Sequence, residues 1–209
     1  MKYSIIPICL LVLMACNNPK KESASKEAEK EFPPIEKTSK NQQSENGDTV
    51  NNPHHPSWLA DKSPKEIGQM ILDNKIQPTD NDVTFMVMDS LLSKNADDRK
   101  FYFKVFIKIL ENADGALAEM VGTPAMKYAE NYTSEFLDLS ANISKENFNS
   151  WASVVGWEIL LSSNDDPVKD GELFIEKLLS NCPELIEKDR QRLKSFNAIV
   201  MKSIRENRD

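Results

Sequence analysis

Between Trp58 and the C-terminus, apolar side chains recur three and four positions apart, which is the spacing of an amphipathic helix. No stretch alternates apolar and polar residues over the length of a strand, and the dipeptides typical of β-hairpins are missing from the sequence. The pattern therefore predicts an all-α domain. It is clearest in the last apolar series, Leu193, Phe196, Val200 and Ile204.

Helix-start signals divide this region into about seven helices. Ser63-Pro64-Lys65-Glu66 combines an N-cap, a proline at the first helical position and the glutamate of a capping box. Ser144 can open a helix that carries residues 151–161. Asp166 and Cys182 each precede a proline, and these two positions are predicted to begin the last two helices.

Two further boundaries divide the middle of the region. Asp97 is predicted to cap a strongly apolar helix that runs to Leu110. Gly122-Thr123-Pro124 is predicted to close one short helix and to start another. The apolar face of this second helix carries Tyr128, Tyr132, Phe136 and Leu139.

Two arrangements of these helices are open. The segments 98–140 and 145–181 each resemble a helical hairpin of about 40 residues, which would allow a short stack of hairpins. No residue-level repeat relates the two segments, so we favour an irregular antiparallel bundle. About 150 residues are enough for one domain with its own core.

The composition changes before Trp58. Residues 17–56 hold almost no large apolar side chains and are rich in Lys, Glu, Ser, Asn, Gln and Pro, so this stretch cannot bury enough surface to fold. We therefore predict a disordered polar linker over 16–56 and a helical domain over 57–209. The two histidines of the chain, His54 and His55, fall in the linker, and we predict neither a metal site nor a cofactor.

The first sixteen residues form a separate segment. An apolar stretch over 5–14 follows Lys2 and is about half as long as a membrane-spanning helix, which needs about 20 residues. Its end, Leu13-Met14-Ala15-Cys16, resembles the signal of bacterial lipoproteins. The resemblance implies that residues 1–15 are a signal peptide that is removed, and that a lipid on Cys16 anchors the protein in a membrane of the cell envelope. In that family an Asp after the cysteine retains the protein in the inner membrane, so Asn17 favours the outer membrane, with the face undetermined.

The predicted domain is acidic, with 19 Lys and Arg against 26 Asp and Glu, which disfavours nucleic acid as a partner. Lys100, Lys104 and Lys108 follow one another at i,i+4 spacing, where like charges repel. We interpret this stripe as solvated or paired within the domain. Contact with an anion or an acidic partner is the alternative.

Aromatic residues supply the other candidate contacts. At about 100° per residue, the helix after Ser144 places Trp151 and Glu158 in one narrow sector, which we interpret as the solvent-facing stripe because most other positions are apolar. An exposed Trp151 would be an interface anchor, although we favour a tryptophan that folds down over a neighbouring helix. Tyr128 and Tyr132 share a face and are predicted to be core residues, with a sugar- or peptide-binding platform as the alternative.

The motifs of common enzymes are missing from the sequence: a Gly-rich phosphate loop, a Cys/His ligand cluster and a Gly-x-Ser-x-Gly turn. We therefore favour a non-enzymatic, lipid-anchored envelope protein whose helical domain binds another envelope protein. Three alternatives remain open: an immunity-type protein that sequesters a toxin, a glycan- or lipid-binding protein, and a hydrolase. The hydrolase would need two of Glu130, Glu135 and Glu158 in one cleft.

Overall fold

A computed structural model describes residue 59 and residues 61–208 of the chain. The predicted signal peptide, the predicted lipid attachment at Cys16 and the linker with His54 and His55 lie outside the described residues. The described residues belong to one compact unit. No helix between residues 61 and 208 is both long enough and apolar enough to cross a bilayer.

The described part is all-α, as predicted, and contains no strand. A 3₁₀ turn over Ser90–Leu92 follows the second helix. The α-helices are α1 (Pro64–Leu72), α2 (Asp82–Asp89), α3 (Ala96–Glu111), α4 (Gly115–Met120), α5 (Gly122–Asn131), α6 (Thr133–Ser140), α7 (Lys145–Ser162), α8 (Pro167–Asn181) and α9 (Glu187–Glu206).

Side-chain caps account for several helix starts. Ser63 Oγ accepts a hydrogen bond from the amide of Glu66 at 3.3 Å, and the Glu66 carboxylate accepts one from the amide of Ser63 at 2.8 Å. Ser144 caps α7, and Asp166 caps α8, each through a side-chain oxygen that accepts from the first turn. These three predicted starts are confirmed, because each cap binds amides that the helix itself leaves without partners.

Three predicted boundaries differ from the structure. Asn95, and not Asp97, caps α3, because Asn95 Oδ1 accepts hydrogen bonds from the amides of residues 97 and 98 at 2.8 and 3.2 Å. The last helix does not begin at Cys182, which lies just after α8; it begins after Ile186, whose backbone is still extended. The helix predicted to run through Tyr132 is divided into α5 and α6, because Tyr132 leaves the helical region with φ −132° and ψ 44°.

The helices form an irregular bundle around one apolar core. The helix α7 packs against α3, α5, α8 and α9 and has more extensive contacts with other helices than any other element of the described part. Its closest neighbour is α9: a Cβ on Gly156 would lie 2.6 Å from the Cβ of Ser203 and 2.7 Å from the carbonyl oxygen of Val200. This close approach brings the two longest helices together.

Candidate functional site: an apolar groove beside Trp157

Trp151 lies in the centre of the core. None of its surface is exposed, and its indole Nε1 donates a hydrogen bond to the carbonyl oxygen of Ala125 at 3.2 Å. The rings of Phe103, Phe106 and Phe136 surround it at centroid distances between 4.7 and 5.2 Å. The prediction that Trp151 lies on a solvent-facing stripe is therefore wrong, and the favoured alternative, a tryptophan packed against neighbouring helices, is confirmed.

The sector of α7 that contains Trp151 faces other helices, although it includes polar residues. Glu158 is half-buried, and its Oε1 accepts a hydrogen bond from Thr123 Oγ1 of α5 at 2.6 Å. Asn147 donates to the Glu111 carboxylate at the end of α3 at 2.9 Å. Glu158 can occupy an inward-facing sector because Thr123 partners its carboxylate, whereas the contact of Asn147 lies at the exposed start of α7. Helical periodicity correctly grouped Trp151 and Glu158 on one side of α7. That side was predicted to face solvent, whereas Trp151 on it lies in the core.

Tyr128 and Tyr132 pack inside the domain. Tyr128 is fully buried, and its hydroxyl donates a hydrogen bond to Glu135 at 2.7 Å. Burial, together with the contact to Glu135, raises the pKa of the Tyr128 phenol above its ordinary value. Tyr132 is half-buried, and its ring lies against the guanidinium group of Arg99, with 3.9 Å from its centroid to Cζ. The core prediction is confirmed for Tyr128, and the two rings do not form an exposed platform.

Arg99 and Glu135 form an ion pair in the same region. Arg99 Nε and Nη2 donate to the two oxygens of Glu135 at 2.9 and 2.8 Å, and Arg99 Nη1 donates to the carbonyl of Ser93 at 2.9 Å. Burial alone would raise the pKa of Glu135, but the hydrogen bonds from Arg99 and Tyr128 outweigh it and hold this pKa below its ordinary value. The pair therefore connects α3 to α6 as two ionised groups.

The three candidate carboxylates of the hydrolase alternative have different partners. Glu135 binds Arg99, Glu158 binds Thr123, and Glu130 pairs with Lys177 of α8. Within residues 61–208, no group of three or more His, Cys, Asp and Glu side chains is placed to hold a metal ion.

The lysine stripe lies on the surface of α3. Lys100 and Lys104 are exposed, and Lys108 is half-buried. The Nζ atoms of Lys100 and Lys108 lie 3.6 Å from carboxylate oxygens of Asp97 and Glu111, each three positions away on the same helix. Pairing within the domain is thus confirmed for two of the three lysines.

An apolar groove of about 910 Å³ opens on the outer side of α7. The end of α3 forms one wall and α4 forms another. Trp157 and Leu161, one helical turn apart on α7, remain 43% and 67% exposed in the groove. We name this feature the Trp157 groove. Its main apolar lining consists of Leu110, Ala113, Val121, Val154, Trp157 and Leu161.

Trp157 is exposed because α7 carries more apolar residues than its neighbours can cover. Trp157 is six positions after Trp151, which turns it by about 120° around the helix axis. The inner sides of α7 contact α3, α5, α8 and α9, and within the described residues no helix covers the side that carries Trp157 and Leu161. The apolar residues on almost every side of α7 were visible in the sequence, but the helical angles alone placed Trp151, and not Trp157, on the exposed side.

The Trp157 groove carries little charge. Glu119 of α4 is the one charged side chain among its lining residues, and in the described part it belongs to no ion pair. Asn149, Ser150 and Ser153 supply a polar margin along α7. Exposed tryptophan beside a concave apolar surface is typical of a contact site for another molecule. The groove can therefore bury apolar side chains and hold one cation at its edge.

Comparison of the chain with protein-family models, with curated proteins and with solved structures finds no match. The function is therefore inferred from the residues of the chain and their geometry.

Proposed function

We propose that this protein is lipid-anchored in the bacterial cell envelope, at the outer membrane, and that its helical domain is a non-enzymatic module that binds another envelope protein. The Trp157 groove is the observation that carries this proposal. Trp157 and Leu161 present large apolar surface to solvent inside a concave groove. Tryptophan is enriched among the residues that contribute most of the free energy of binding when a partner covers them.

The partner segment that fits the Trp157 groove is an amphipathic helix with a basic residue near one end. The groove runs beside α7 between two other helices, so its walls match the helix-in-groove mode of recognition. Apolar side chains of the partner would cover Trp157 and Leu161. A lysine or arginine would meet the carboxylate of Glu119, which belongs to no ion pair in the described part.

The N-terminal sequence supports the anchored arrangement. A lipid on Cys16, followed by the linker of about 40 residues that the composition predicts, would leave the domain roughly 35 Å from its anchor on average if that linker behaves as a random coil. Holding the domain and a membrane-anchored partner within this distance raises their effective concentration, so a groove of moderate affinity is sufficient.

The anchor is tested by metabolic labelling with a radioactive fatty acid. The full chain, expressed in a bacterium that processes lipoproteins, is expected to incorporate label and to fractionate with the outer membrane. The Cys16→Ser variant is expected to incorporate none. Equal labelling of the parent and the variant would contradict the proposal.

The groove is tested by photo-cross-linking in the same cells. A photoreactive residue in place of Ala118, which lines the groove, is expected to join one envelope protein to the full chain. The pair Trp157→Lys and Leu161→Lys should abolish this product. Because Trp157 is 43% exposed and the rest of its surface is covered by the fold, the variant is compared with the parent only after circular dichroism shows that it keeps the helical signal and a cooperative thermal transition.

The matched control changes a second exposed apolar pair, Phe85→Lys with Met86→Lys on α2, and should leave the product intact. The sequence of the cross-linked peptide should show apolar residues at helical spacing and a lysine or arginine near one end. A product that survives the groove variant, or that disappears equally with the α2 variant, would overturn the assignment of the groove.

A further inference from the structure

A second cavity of about 640 Å³ lies between the turn that joins α6 to α7 and the first half of α9. Lys145, Lys188 and Arg192 line it, and no carboxylate is among its lining residues. This concentration of positive charge contrasts with the domain as a whole, which carries an excess of acidic residues. We name this feature the basic cavity.

Within the described residues, no ion pair offsets the charges of the two lysines of the basic cavity. Lys145 and Lys188 are exposed, and neither forms an ion pair within the described residues. Arg192 is held in place: its Nη1 donates to the carbonyl of Leu137 at 3.1 Å and lies 3.5 Å from Asp189 Oδ1. Asp189 therefore offsets part of the charge of Arg192, and most of the attraction for an anion comes from the two lysines.

The backbone adds to this field. Lys145 is the first residue of α7, and Lys188 is the second residue of α9. The amino-terminal ends of both helices therefore lie at the basic cavity, and each end carries a partial positive charge. The acidic residues of the two first turns, Glu146 in α7 and Glu187 and Asp189 in α9, offset part of these partial charges but do not line the cavity, so Lys145 and Lys188 remain the main attraction for an anion.

The remaining wall of the basic cavity is apolar. Ile143, Phe148 and Ile199 line it and stay half-buried, so each leaves apolar surface in contact with water. A simple inorganic anion would neutralise the lysines but leave the apolar surface of these three side chains exposed to water. A ligand that carries both a negative head and an apolar portion would satisfy both parts of the wall.

We propose that the basic cavity binds an anionic amphiphile, which is a molecule with a carboxylate or phosphate head joined to an acyl chain or a similar apolar group. The head lies between Lys145 and Lys188, and the apolar portion covers Phe148 and Ile199. This site is separate from the Trp157 groove, and the inference does not depend on the proposed protein partner.

The test is a calorimetric titration of the full chain carrying Cys16→Ser, so that no attached lipid competes for the cavity. Dodecyl phosphate and dodecanoate, each below the concentration at which it forms micelles, are expected to bind in a saturable way. Amide NMR shifts should locate both near residues 143–148 and 188–199. Affinity should fall as salt is added, because exposed lysine charges are screened.

Two comparison ligands separate the contributions of charge and apolar surface. Inorganic phosphate is expected to bind at least tenfold more weakly than dodecyl phosphate, because it cannot cover the apolar wall. Dodecyl maltoside, which has the same chain and no charge, is also expected to bind at least tenfold more weakly. Equal binding of either comparison ligand would overturn the proposal.

Matched variants complete the test. Lys145→Gln with Lys188→Gln should weaken dodecyl phosphate binding at least tenfold while the folded state is retained, since both side chains are exposed. Lys104→Gln with Lys127→Gln removes the same charge from exposed positions on α3 and α5 and should change the affinity less than twofold. An equal effect of the two pairs would show attraction to overall charge only and would refute a site at the basic cavity.

Discussion

At the scale of single residues, the polar contacts of Arg99, Glu135 and Tyr128 link three parts of the chain. The side chains of Arg99 and Glu135 are only 11% and 19% exposed, so little water can compensate either charge if the other is removed. An ion pair in such a place contributes little more than a well-packed apolar pair would, but breaking it leaves a buried charge without a partner. Substitutions of Arg99 or Glu135 are therefore expected to lower the free energy of unfolding strongly.

Glu135→Gln is predicted to lower the free energy of unfolding by about 2–4 kcal/mol, because Arg99 keeps its charge and loses its counterion. Urea unfolding followed by circular dichroism measures the change. Tyr128→Phe serves as the comparison: it removes one hydrogen bond to Glu135 and keeps the ion pair, so its cost should be about 1 kcal/mol. Equal effects of the two substitutions would contradict the dominant role of the ion pair.

The same pair predicts a dependence of stability on pH. The pKa of Glu135 is lower in the folded chain than its ordinary value of 4.5, so ionised Glu135 stabilises the fold above that pH, and the stabilisation is lost as the pH falls through the folded-state pKa. The difference in unfolding free energy between the parent and Glu135→Gln should therefore be constant above about pH 5.5 and shrink below it. The pKa values of Glu66 and Asp73 are lowered too, but both residues are present in both proteins and their effects cancel. A difference that stays constant down to pH 3 would refute this prediction.

At the scale of helices, the contact between α7 and α9 depends on a residue without a side chain. Gly156 lies against Ser203 and the backbone of Val200, and an added methyl group would meet both at less than 3 Å. Since one of the two contacts is backbone, the strain cannot be relieved by rotation of a side chain alone. The spacing of the two helices is therefore set at this position.

Gly156→Ala is predicted to destabilise the protein by about 1–2 kcal/mol. Alanine is favoured over glycine within a helix by about 1 kcal/mol, so a net loss means that the steric cost at α9 exceeds this gain. Ser150→Ala, at an exposed position of the same helix, should change the free energy of unfolding by no more than about 0.5 kcal/mol. A gain in stability for Gly156→Ala, measured by urea unfolding, would show that α7 and α9 move apart at little cost and would contradict the prediction.

The sequence predicted helix starts better than it predicted which way a helix faces. Ser63, Ser144 and Asp166 were identified because a cap is a local contact that the sequence encodes within four residues. The break at Tyr132 was missed, because no glycine or proline marks it. The inward and outward sides of α7 were assigned wrongly for a different reason: periodicity gives the angle between residues but not the position of the core, and this helix is apolar on almost every side.

At the scale of the whole molecule, apolar residues from every helix join one core. Ile67 of α1, Leu117 of α4 and Phe174 of α8 belong to the same buried cluster as Trp151. Because no helix has a separate core, the loss of one helix exposes apolar surface on its neighbours. Cooperative unfolding is the expected result for a domain of this size and arrangement.

The described domain is accordingly predicted to unfold in a single transition. In a urea titration of the full chain, the near-ultraviolet circular dichroism of the packed aromatic residues and the far-ultraviolet signal of the helices should change at the same midpoint. An earlier loss of the aromatic signal, with the helical signal retained, would contradict a single cooperative core.

The positions of Trp151 and Trp157 also give the protein two intrinsic fluorophores with opposite surroundings. Trp151 is enclosed by aromatic rings and should emit at short wavelength, beyond the reach of a dissolved quencher such as iodide, whereas the exposed Trp157 should emit at longer wavelength and be quenched. With Trp58→Phe, these two are the remaining tryptophans of the chain. A molecule that enters the Trp157 groove would then protect one emitter and leave the other unchanged, so binding and unfolding can be distinguished in a single emission spectrum.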